Sequence, residues 1–121
     1  MTTRELLELA AKAAGYGAGH YEDGSWLETR YGYTAALYLD CDDFDGYWNP
    51  LEHDGDALRL AAKLQIDTQF HVTHVYTSQW VTGLKVAARS EAFADHDGDQ
   101  CAATRHAIVR AAAEIARAQT Q

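Results

Sequence analysis

Only two cysteines, Cys41 and Cys101, and a single proline, Pro50, occur in this chain. Two cysteines are too few for a small secreted scaffold held by disulfides, so both read as free thiols in a reducing cytoplasm. No apolar run approaches the length that spans a bilayer. The leucines near the start are interrupted by Glu5 and Glu8, so no signal core is expected there. Positive charge is scarce. The net charge is −8, and residues 21–60 carry ten acids against Arg30 and Arg59, whereas residues 1–20 and 61–121 are each balanced. A surface of that sign repels phosphate backbones and argues against direct nucleic-acid binding, while it attracts a basic partner or simply solvates the chain. No internal repeat, linker, HxxxH or CxxC spacing occurs. The glycine-rich Gly15-Tyr16-Gly17-Ala18-Gly19 lacks a phosphate-loop lysine, and Ser25, Ser78 and Ser90 lack a nucleophile-elbow context.

What remains is one domain, residues 1–121, with aromatics enough for a core. Thr2 and Glu5 have capping-box spacing, and Leu6, Leu9, Ala10 and Ala13 share a face, which predicts a helix over 2–14 that Gly15 stops. Trp, Tyr, Thr and Leu predict strand over 26–39, with Gly32 as a bulge or a break. Residues 40–56 read as a polar connection. Asp54 or Asp56 is expected to cap a helix over 56–65. Alternation over 69–77 predicts a strand, joined by a turn at Thr77-Ser78-Gln79 to a second strand over 80–89. Residues 94–99 read as a turn. Asp99 caps a final helix over 100–118, with Cys101, Ile108, Ala111, Ala112 and Ile115 facing inward. The expected class is α+β: one antiparallel sheet of about 3–5 strands sandwiched between helix layers, α-β-α.

Two segments carry a resemblance. Tyr47-Trp48-Asn49-Pro50-Leu51 precedes Asp56-Ala57-Leu58-Arg59-Leu60-Ala61, and an alanine-rich run, Ala102 to Ala112, ends the chain. Together they resemble small bacteriophage and prophage proteins of the phage ABA-sandwich group. The resemblance implies helix, sheet and helix layers and a bacterial host cell, and it implies no chemistry. Trp48, Asn49, Pro50 and Asp56 read as a structural motif: a ring that pins a turn, an extended residue before proline, and a helix cap.

The candidate sites are sparse. Asp43-Phe44-Asp45-Gly46 with Glu52 partly fits a calcium loop, but Cys41 would stand at its first ligand position, and Trp48 and Pro50 follow. Asp95, Asp97 and Asp99 read as turn residues. His71 and His74, three apart on an expected strand, point to opposite faces; His20, His53, His96 and His106 are scattered. No catalytic residue, metal or cofactor is expected. Tyr16, Tyr21, Trp26, Tyr31, Tyr33, Tyr38, Phe44, Tyr47 and Trp48 concentrate where the acids do. Anchors ringed by charge are one form a protein interface takes, and Asp42, Asp43, Asp45, Tyr47 and Trp48 are its candidate residues. The leading expectation is a non-enzymatic phage or prophage accessory protein that binds another protein or itself. The alternatives are an acidic decoy that mimics nucleic acid and a metal-dependent enzyme using histidines and aspartates.

Overall fold

Thr2 starts the first helix as the spacing requires. Its hydroxyl accepts from the Glu5 amide at 3.1 Å, and its own proton goes to the Glu5 carboxylate. The computed structural model describes residues 1–17, 19–40, 45–81 and 84–119, with the backbone alone at 81 and 84. Helix α1 spans Thr3–Ala13 and ends on Gly15 in the left-handed region. It is followed by strand β1 (His20–Asp23), helix α2 (Ser25–Tyr31), strands β2 (Ala35–Asp40) and β3 (Asp45–Trp48), and helix α3 (Asp54–Leu64). Strands β4 (Asp67–Phe70), β5 (His74–Val81) and β6 (Leu84–Ala92), a 3-10 turn (Phe93–His96) and helix α4 (Gln100–Gln119) complete the order.

The fold is α+β with antiparallel pairing, but the strands form two sheets, β1-β2-β3 and β4-β5-β6. The expected single sheet between two helix layers is therefore corrected. Pairing stops at β3 because α3 intervenes, and it begins anew at β4. Helix α4 explains how two sheets share a core. Alanines at 103, 107, 111, 112, 113 and 116 are buried together with Ile108, Val109 and Ile115, so the helix is apolar on several sides and admits close neighbours. It packs against α1, α3, β5 and β6. Leu7, Leu37, Leu39, Trp48 and Leu60 join it in one core cluster. Asp99 caps α4 through the Ala102 amide at 3.0 Å, as expected, but Cys101 is exposed instead of inward.

Three other expectations are corrected. Residues 26–31 are helix, because Gly24 and Gly32 bracket a stretch of about two turns whose Leu27 is buried. Residues 45–48, expected in a connection, pair with β2. The strand over 69–77 is two strands that reverse at 71–73, and the residues expected to turn, Thr77 to Gln79, lie inside β5. Thr77 is fully buried there without penalty because its hydroxyl donates to the Ala107 carbonyl at 3.2 Å. Among the described residues no helix is long and apolar enough to cross a membrane.

Candidate functional site

Antiparallel register decides which aromatics reach the surface. Leu37 pairs with Trp48 and Tyr38 with Tyr47, so alternation sends Leu37, Leu39 and Trp48 inward and Tyr38 and Tyr47 outward. Helix α2 then lays Trp26 and Tyr31 against Tyr47. The Tyr47 ring centroid lies 4.6 Å from Tyr31, 5.1 Å from Tyr38 and 6.2 Å from Trp26, mostly edge to face. Tyr47 is the half-buried hub, while Trp26, Tyr31 and Tyr38 remain 48%, 45% and 42% exposed.

Carboxylates frame these rings. The Tyr47 hydroxyl donates to Glu22 on β1 at 2.5 Å, and that bond, with burial and the Glu22 charge, pushes the phenol up to about 12. The neighbouring Asp45 charge is the first cause of a raised Tyr38 phenol, with Asp40 adding to it. Asp23, Glu28, Asp40 and Asp45 are exposed on the same elements, and Arg30 lies over Tyr31 at 5.7 Å. Ring faces carry negative electrostatic potential, and carboxylates reinforce it. The face therefore attracts guanidinium and ammonium groups and repels phosphate.

The sequence-derived residues separate. Asp45 and Tyr47 belong to this face, and Asp42 and Asp43 lie outside the described residues. Trp48 is 1% exposed and meets Tyr16 edge-on at 5.7 Å, so it serves the core and not the surface. Trp26, Tyr31, Tyr38 and Glu22 complete the face. The three aromatics were visible as part of a local aromatic concentration, but their convergence depends on α2, which composition disguised as strand.

Asn49, Pro50 and Asp56 are buried beside Trp48. Asn49 donates its amide to the Ala35 carbonyl at 2.7 Å and accepts from the Leu51 N–H at 2.8 Å. Asp56 does not cap α3: His53 holds the cap position, with no side-chain cap bond. The Asp56 carboxylate instead accepts from the Asn49 N–H at 3.0 Å and from the Tyr33 hydroxyl at 2.8 Å, and it pairs with Arg59. Burial and Asp56 hold the Tyr33 proton well above the usual phenol range. This network ties β2, the turn after β3, and α3.

Of the calcium-loop residues, Cys41, Asp43 and Phe44 lie outside the described residues, Asp45 is in a strand, and Glu52 accepts from the Thr34 N–H and hydroxyl. His71 and His74 stack at 4.6 Å instead of pointing apart, because the chain reverses between them. His96 and His106 meet beside Glu91, with donor atoms within 4.8 Å of one another. A separate open groove of about 870 Å³ runs between α3, β4 and α4, lined by Leu58, Ala61, Ile66, Phe70 and Ile108, with Cys101 in its wall. Comparison with protein-family models, curated proteins and solved structures finds no match to this chain.

Proposed function

We propose that this chain is a non-enzymatic, phage-type accessory protein that binds another protein through the aromatic and acidic face of β1, α2, β2 and β3. The partner segment is basic, with arginine side chains that stack on Tyr31, Tyr38 and Trp26 while Asp45, Asp40 and Glu28 supply charge. The observation that carries this reading is the exposure of three large rings packed around Tyr47 within the acid-rich part of the chain. A cluster of three large exposed rings is a contiguous apolar patch, and rigid aromatics with a charged rim are what protein interfaces use. The decoy alternative shares the negative charge but has no use for the rings.

The test is a titration with arginine-rich, lysine-rich and neutral peptides of equal length. Arginine-rich peptides should bind best, and W26A combined with Y38A should weaken them about tenfold or more while the fold is kept. Equal binding of lysine-rich and arginine-rich peptides, unaffected by the ring substitutions, would favour the decoy reading.

A further inference from the structure

We infer that Glu91, His96 and His106 form a binding site for a single zinc ion, with one coordination position left to water or a small ligand. The three residues come from the end of β6, the 3-10 turn and α4. Their donor atoms lie within 4.8 Å of one another. Two imidazoles and a carboxylate are a zinc donor set, and three protein ligands leave the fourth tetrahedral position open. Tetrahedral ligation at about 2.0–2.2 Å sets the donors roughly 3.4 Å apart, between the 2.9 Å edge from Glu91 Oε1 to His96 Nε2 and the 4.8 Å upper bound of the triangle.

The surroundings favour an ion over a purely structural ion pair. Glu91 is buried, and Arg110 Nη1 holds its Oε2 at 2.6 Å, which leaves Oε1 facing His96 Nε2 at 2.9 Å. A partner that fixes the distal oxygen is the usual support for a ligating carboxylate. The ion pair accounts for Glu91, Arg110 and His96, but not for His106. Its ring lies 4.7 Å from that of His96, and its Nδ1 is buried without a hydrogen-bond partner. A buried ring nitrogen without a partner is costly, and ligation through Nδ1 would remove that cost. On binding, His96 would ligate through Nε2 as the neutral tautomer that carries its proton on Nδ1, and zinc would take the place of the Nε2 contact to Glu91 Oε1.

Zinc, and cobalt(II) as its spectroscopic stand-in, should be titrated into the metal-free full chain without a histidine tag. The expected result is one-to-one binding and visible cobalt bands of tetrahedral intensity. H96Q and H106Q should each weaken binding about tenfold or more, and the H71Q/H74Q double variant should bind as the wild type does. Absence of one-to-one binding, unchanged affinity in folded H106Q, or loss in H71Q/H74Q instead would overturn the site. Should either glutamine variant misfold, the wild type decides alone: cobalt must shift the ring signals of His96 and His106, and a shift confined to other histidines refutes the assignment.

Discussion

Asp56 shows how one side chain serves a fold. It lies in the first turn of α3, where a carboxylate complements the helix dipole. Its position is nevertheless fixed by what it accepts, the Asn49 amide and the Tyr33 hydroxyl, both far in sequence from a cap. D56A strands the buried Asn49 N–H, leaves the Tyr33 hydroxyl only the longer bond to the Tyr47 carbonyl at 3.3 Å, and removes the partner of Arg59, and a stranded buried group costs about 1–3 kcal/mol. The substitution should therefore lower stability by about 3 kcal/mol in chemical denaturation. In a Y33F background the loss should shrink by about 1 kcal/mol, since one of the two donors is already gone. W48A removes a buried ring from the same junction and should cost about 3–5 kcal/mol. The sequence marked these residues as structural; it did not reveal that Asp56 binds back to Asn49 instead of capping, because capping and bridging draw on the same residue type at the same place.

At the level of elements, α1 and α4 were legible because a cap and a helical period agreed in each. Helix α2 was not. Its Trp26, Thr29 and Tyr31 favour strand by composition, and a helix this short has room for only one buried contact, Leu27. The available signal was punctuation, Gly24 and Gly32. Gly32 is in the left-handed region at φ +80, and an added Cβ would meet nothing closer than the His53 ring at 3.9 Å. The penalty of G32A is thus conformational and not steric, about 1 kcal/mol in thermal or chemical unfolding. A neutral G32A would show that α2 ends without needing that conformation. The reversal at 71–73 is hidden in the sequence for a different reason. The residues His71, Val72 and Thr73 continue the alternation of a strand, although Val72 is 96% exposed at the turn. Polar Thr77 and Ser78 looked like a turn because the acceptor that lets Thr77 stay buried lies on α4.

Across the whole molecule, charge and aromatic content single out residues 21–60, while the three-dimensional sorting of that region is not legible in the sequence. Of its acids, Asp56 is buried in the junction and Asp54 pairs with Arg105 at 2.6 Å, so they are spent within the fold. Glu22 and Asp45 frame the ring cluster. Its aromatics divide in the same way, with Trp48 and Tyr33 bound into the fold and Trp26, Tyr31 and Tyr38 kept at the surface. The Glu91, His96 and His106 group had no sequence spacing to announce it, because three separate elements supply it. The most direct measurement of the central claim is a residue-resolved NMR titration of the full chain with an arginine-rich peptide at low and high salt. The expected result is a contiguous set of shifts on Glu22, Trp26, Tyr31, Tyr38, Asp45 and Tyr47, weaker at high salt as charge attraction is screened. Shifts centred on the groove between α3 and α4, or no saturable shifts at either salt concentration, would contradict a binding role for the aromatic and acidic face.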